Sequence, residues 1–166
     1  MSKKKIALIV VAVVVVIAAV VAAVVLLKPE ANVEGTLEEI MTKVYAGIPQ
    51  EELPGSLANT PVEGEMVEYF LGTTEVTFKE ALASEPMMSS QPHSVVLVRL
   101  NDAKDAEAAV AKIKESVNPR KWICVEAKNV IVESKGDLVI LIMADSEGQT
   151  TAEVAPRLKA NFGGLK

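Results

Sequence analysis

A short polar segment contains the single histidine of the chain. An imidazole base that activates a serine hydroxyl is the arrangement of many hydrolases and acyltransferases. Here His93 would be the base, and the nucleophile would come from the neighbouring serines, Ser89, Ser90 and Ser94. The sequence has no Gly-x-Ser-x-Gly elbow and no recognisable acid partner, and adjacent strand residues point to opposite faces. The segment therefore fits a polar approach to a strand better, and a hydrolase or acyltransferase is the alternative.

Metal and cofactor chemistry has little support in the residue pattern. The chain has one histidine and one cysteine, and its carboxylates have neither the spacing of a zinc site nor the density of a calcium loop. Glycine-rich phosphate-binding loops are also missing from the sequence. We therefore expect no metal and no cofactor.

A second segment places two cations beside the only tryptophan, in the order Arg120, Lys121, Trp122. Arginine forms forked hydrogen bonds with carboxylates, and an indole offers a flat face to a sugar ring. These three residues and His93 are therefore the candidate ligand-binding residues. In the competing interpretation Trp122 fills the core and the cations are solvated near a helix C-terminus. We expect Trp122 to be buried, which leaves Arg120 and Lys121 as the contact residues.

The elements that would position these residues follow a long apolar segment. Residues 6–27 are 22 consecutive apolar residues, and as a helix they span about 33 Å, enough to cross a hydrocarbon core. The lysines at positions 3–5 predict that residues 1–5 stay in the cytoplasm. The sequence therefore predicts a single-pass cell-membrane protein whose C-terminal part is extracytoplasmic. A cleaved signal peptide is the alternative, although its apolar region is normally shorter.

The part beyond the apolar segment is acidic. Residues 28–166 contain 14 basic and 22 acidic residues, a net charge of −8. Because this charge repels phosphate backbones, nucleic acid is excluded as a partner. The expected partners are the lipid bilayer, through residues 6–27, and an envelope protein or glycan. The single cysteine, Cys124, forms no internal disulfide, and we expect it to be buried in a strand.

The periodicity after a polar linker at residues 28–36 predicts one α+β domain over residues 37–166. Helices are predicted at 36–48, 63–71, 102–117 and 150–162, with a loop at 49–62. Strands are predicted at 73–83, 94–100, 121–125, 130–133 and 137–144. The order of these elements indicates a small mixed β-sheet packed with helices mainly on one face.

Three stretches of this domain resemble a known family: residues 37–48 (LEEIMTKVYAGI), residues 81–100 and residues 117–143. The most specific pieces are LASEPM at 82–87 and PRKWICV at 119–125. They resemble extracytoplasmic domains of unknown function, membrane-anchored or lipoprotein, from Clostridia-type Gram-positive bacteria. The resemblance implies work in the cell envelope, beside membrane acyltransferases that modify surface polysaccharide. It implies no mechanism. Our own first hypothesis is a non-enzymatic accessory domain that binds a protein or a glycan.

Overall fold

The computed structural model describes residues 32–87, 91–148 and 152–166. The predicted cytoplasmic N-terminus (1–5), the predicted membrane helix (6–27) and residues 28–31 of the predicted linker lie outside these residues and stay predictions. Within the described ranges, no helix has the length and apolar character needed to cross a bilayer.

The described residues form the predicted α+β domain, built on one five-stranded sheet in the order β1-β2-β3-β5-β4. Its strands are β1 (Leu57–Pro61), β2 (Phe78–Pro86), β3 (His93–Leu100), β4 (Asn129–Lys135) and β5 (Leu138–Ala144). Its helices are α1 (Leu37–Val44), α2 (Met66–Leu71), α3 (Ala106–Ser116) and α4 (Ala155–Gly163), with 3-10 turns at Gln50–Glu52 and Ala103–Asp105.

The prediction of a mixed sheet is wrong, because every strand pair is antiparallel. The error comes from residues 121–125, which form a loop and no strand. Without that strand, α3 connects β3 to the edge strand β4, and β5 returns between them. Strands β3 and β4 therefore run parallel but are not neighbours.

The prediction of helices mainly on one face is also wrong, because helices cover both faces of the sheet. Side chains of β3 alternate between two hydrophobic clusters: Val95 and Leu97 pack with α1 and α4, whereas Val96 and Val98 pack with α2 and α3. All residues of β3 and β5 are buried as a result. A strand with both faces covered has an almost continuous apolar sequence, which agrees with the run at 94–100.

Several predicted elements are confirmed with shifted bounds. Thr36 and Glu39 form the expected capping box of α1, and the strands predicted at 94–100, 130–133 and 137–144 are present. The strand predicted at 73–83 forms as β2, at residues 78–86. Strand β1 lies in the predicted loop 49–62; its residues have little strand propensity, and pairing with β2 orders them.

Arg99 of β3 holds the N-terminal end of the domain against the sheet. Its guanidinium donates hydrogen bonds to the carbonyl oxygens of Val33 (2.9 Å) and Gly35 (2.8 Å). It also pairs with the carboxylates of Glu80 (2.9 Å) and Asp137 (3.2 Å). Val33 itself is buried. The folded domain therefore includes residues 33–36 of the predicted linker.

We predict that Arg99→Ala lowers the free energy of unfolding by about 3–5 kcal/mol, because it leaves the buried Asp137 carboxylate without its cation. Urea denaturation followed by circular dichroism measures this loss. The control is Lys104→Ala, which breaks the exposed pair with Asp102 (2.9 Å) and should leave the midpoint unchanged. An unchanged midpoint for Arg99→Ala would contradict this role.

Candidate functional site

The described candidate residues His93, Ser94 and Lys121 lie at one end of the sheet. Here β2 ends, β3 begins at His93, and His93 pairs across the sheet with Ala144 of β5. His93 and its neighbour Ser94 lie on opposite faces, because successive residues of a strand alternate. Two polar groups form in this way, one under α1 and one under α2.

His93 belongs to the group under α1. Its side chain is almost fully buried, with 1% exposure, and a hydrogen bond of 2.8 Å joins its Nε2 to the hydroxyl of Tyr45. Burial lowers the pKa of His93 to about 4, although the nearby Asp145 carboxylate opposes the shift. Burial also raises the pKa of Tyr45. Both side chains are therefore neutral at physiological pH.

Asp145 lies beside His93, and its carboxylate caps the N-terminus of α4. Its carboxylate accepts hydrogen bonds from the backbone N–H groups of Val154 (2.8 Å) and Ala155 (3.1 Å), at the start of α4. It accepts another from the side-chain amide of Asn129 (2.9 Å). Since no side chain within the helix caps this N-terminus, Asp145 caps α4 from a different segment.

A small cavity of about 60 Å³ opens beside His93. It is lined by Glu52, Pro54, Gln91, Pro92, His93, Asp145, Ser146 and Val154. This volume accommodates a few water molecules and is too small for a sugar ring. The cavity therefore does not qualify as a glycan site.

The structure does not bring His93 and Ser94 together. The Ser94 hydroxyl accepts a hydrogen bond from Lys121 Nζ (3.1 Å) on the other face of the sheet. Serine and lysine form the catalytic pair of some hydrolases, but here Ser94 is fully buried, so a substrate cannot reach it. Ser89 and Ser90 lie outside the described residues, and their part in the hydrolase hypothesis stays a prediction.

Lys121 is the centre of the group under α2, and its predicted role as a ligand contact stays a prediction. The side chain is only 5% exposed, and Nζ lies 2.5 Å from Glu85 Oε1. Three aromatic rings surround the ammonium at 4.5–5.3 Å from their centroids: Tyr69, Phe70 and Trp122. Burial lowers the pKa of Lys121, whereas the Glu85 carboxylate opposes that shift. Its charge is therefore compensated inside the domain.

The two neighbours of Lys121 have different environments. Arg120 is 75% exposed at its side chain and lies 3.4 Å from Glu126. Trp122, expected in the core, is half-buried at the edge of the cluster that contains α2 and α3. Of the two cations in this segment, Arg120 is therefore the one whose side chain is exposed to solvent.

The sequence did not reveal that large apolar side chains are exposed in the segments that supply the residues around Lys121. Ile123, which follows Trp122 in sequence, is 90% exposed, and Met87, two residues after Glu85, is 75% exposed. Met66 and Tyr69 of α2 are exposed as well. Together with Trp122 we call these residues the apolar surface. The sequence signal is KWICV at 121–125, whose apolar residues predict a strand.

The expectation that Cys124 is buried in a strand is wrong. Cys124 is exposed, and its φ of 65° lies in the left-handed region. This backbone conformation is incompatible with an extended strand. It turns the chain after Ile123, so that loop residues 122–124 lie outside the sheet.

We predict that acid destabilises the domain partly through His93. The folded state holds this imidazole neutral down to about pH 4, whereas an unfolded histidine titrates near 6.5. Stability is therefore complete above pH 6.5 and falls by about 3 kcal/mol as the pH drops toward 4. His93→Gln, which can still bond Tyr45, should flatten this part of a urea-midpoint profile. Parallel profiles for the two proteins would contradict the assignment.

We also predict that Lys121→Ala lowers the free energy of unfolding by about 3 kcal/mol, because it leaves the Glu85 carboxylate partly buried without a cation. Arg120→Ala is the matched control, since it removes an adjacent exposed cation and should leave thermal stability unchanged. The double variant Lys121→Ala/Glu85→Ala should lose less than the sum of the two single changes. Additive losses in calorimetry would mean that the pair is not coupled.

Comparisons of the chain with protein-family models, with curated proteins and with solved structures find no match. The site is therefore interpreted from its own geometry.

Proposed function

We propose that the chain is a membrane-anchored accessory protein of the cell envelope whose folded domain binds another protein through the apolar surface. The observation that carries this proposal is the 90% exposure of Ile123, next to Trp122 and Lys121. Grouped apolar side chains in water are unfavourable, and on soluble domains they are typical of interaction sites. Methionine and aromatic residues are also enriched in protein interfaces.

The loop that presents Ile123 is held at both ends, which favours a binding role. Its start is fixed because Ala127 N–H donates to the carbonyl oxygen of Pro119 (2.9 Å). Its end is fixed because Lys128 N–H donates to the carbonyl oxygen of Asp145 (2.9 Å). Lys121 lies between these points under three aromatic rings. A surface already ordered before binding loses little conformational entropy when a partner docks.

The chemistry of the surface favours a protein over a glycan. Ile123, Met87 and Met66 are aliphatic or thioether side chains, whereas sugar sites use a freely exposed aromatic face flanked by hydrogen-bonding groups. A wide depression of about 600 Å³ lies beside Cys124, but its lining residues include no aromatic ring. Arg120 and Lys121, proposed from sequence as contacts for an anionic ligand, pair with Glu126 and Glu85.

The alternative function, a hydrolase or acyltransferase that uses the segment from Ser89 to His93, has less support. The imidazole of His93 is buried against Tyr45 and adjoins a cavity of only about 60 Å³. Ser94, the described serine next to that segment, accepts a hydrogen bond from Lys121 on the other face of the sheet. Catalysis needs a nucleophile and a base that share an accessible pocket.

The proposed location, a membrane-anchored domain outside the cytoplasm, rests on the sequence. The apolar residues 6–27 and the preceding lysines predict an anchor with the domain outside the cytoplasm. The partner would then be an envelope protein or the extracytoplasmic part of a membrane protein.

The test is site-specific photo-crosslinking of the full chain in its native membrane. We expect a crosslinker at Ile123 to capture one defined protein, and one at Ala46, exposed on the α1 side, to capture none. Met87→Asp should reduce the Ile123 crosslink at least tenfold, since a charge is placed inside an apolar contact. Ala46→Asp is the control and should not reduce it. Equal capture from both positions, or capture of glycan alone, would refute a protein-binding surface.

A further inference from the structure

The apolar surface has acidic residues along its α2 side. Glu63, Glu65 and Glu68 lie within three residues of Met66 or Tyr69, and all three are exposed. Within the described residues, no lysine or arginine forms an ion pair with any of them. These carboxylates therefore keep their charge open to solvent beside an apolar centre.

The cations near this surface do not offset the acidic residues. Lys121 is buried against Glu85 at 2.5 Å, and Arg120 lies 3.4 Å from Glu126. The nearby cations thus have carboxylate partners of their own, whereas Glu63, Glu65 and Glu68 pair with no lysine or arginine in the described part of the chain. The local field is negative, in a domain whose net charge over residues 28–166 is −8. A positively charged partner would be attracted, and anionic lipid, nucleic acid or acidic polysaccharide would be repelled.

We infer that the segment that docks on the apolar surface is a basic, apolar protein segment. Its apolar side chains contact Met87, Trp122 and Ile123, and its lysines or arginines face Glu63, Glu65 and Glu68. This inference rests on the proposed protein-binding function and specifies the chemistry of the partner. Charge at the edge of an interface acts mainly on partner choice and association rate, while the apolar centre supplies most of the affinity.

The only tryptophan of the chain lies in this surface, so the fluorescence of Trp122 reports directly on docking. The experiment uses the full chain in zwitterionic nanodiscs and synthetic amphipathic peptides that lack tryptophan. The first peptide has a leucine face flanked by lysines. The second has the same leucine face flanked by glutamates, and the third keeps the lysines but replaces leucine with alanine.

We expect the leucine–lysine peptide to shift the Trp122 emission and to bind at least tenfold more tightly than either of the other two. Raising the salt concentration from about 20 to 300 mM should weaken its binding several-fold, because the Debye length falls from roughly 20 to 6 Å. Equal affinity of the lysine and glutamate peptides would overturn the inference. So would equal affinity of the leucine and alanine peptides, or an unchanged emission with all three.

A charge-matched pair of variants locates the effect. The triple change Glu63→Gln, Glu65→Gln and Glu68→Gln should weaken binding of the leucine–lysine peptide at least fivefold. The control, Glu34→Gln, Glu38→Gln and Glu51→Gln, alters the total charge equally but removes exposed carboxylates around α1. It should change binding less than twofold. Equal weakening by both triple variants would mean that only the net charge matters, which overturns the inference.

The variant Ile123→Asp separates failure of this inference from failure of the proposed function. If Ile123→Asp abolishes the photo-crosslink at Met87 but the three α2 changes leave that crosslink intact, the surface binds a protein whose chemistry is not basic. If neither Ile123→Asp nor the α2 changes alter the crosslink, the apolar surface is not the binding site.

Discussion

The burial of β3 on both faces is the constraint on which the rest of this domain depends. Because its side chains alternate between two separate cores, each face needs its own helices, and α1 with α4 and α2 with α3 supply them. The same alternation sends His93 toward Tyr45 and Ser94 toward Lys121. Two residues that are adjacent in sequence therefore take part in different polar groups, and a hydrolytic pair between them is geometrically excluded.

Each polar group at this end of the sheet is compensated internally. Lys121 has Glu85, Ser94 and three aromatic rings, and Asp145 caps α4 and bonds Asn129. Buried polar groups of this kind stabilise one arrangement of the chain because their loss is costly. They also fix the loop between α3 and β4, in which the Lys121 side chain lies inside the domain while Ile123 is exposed, as are the charged Arg120 and Glu126.

The exposure of Ile123 beside the buried Lys121 changes which residues are candidates for function. The sequence draws attention to cations, a histidine and serines, the residue types that usually carry chemistry. In the folded domain Lys121, His93 and Ser94 are buried, whereas Ile123 and Met87 are exposed. An exposed isoleucine beside a buried lysine is unfavourable in an isolated domain. The partner that we propose would cover this isoleucine, and we propose a basic one because Glu63, Glu65 and Glu68 form no ion pair within the described residues.

The sequence by itself determined the α+β class, the capping box at Thr36, a helix within the predicted residues 102–117 and the three strands at 94–100, 130–133 and 137–144. These features follow from local periodicity and local hydrogen bonding, which depend only on residues that are close in sequence. Only the tertiary structure decided the antiparallel order, the strand β1, the helices on both faces and the fate of residues 121–125. Strand pairing joins residues far apart in the chain, and the left-handed backbone at Cys124 leaves no trace in residue type. The burial of Lys121 likewise depended on Glu85 and α2, which sequence spacing alone does not bring together.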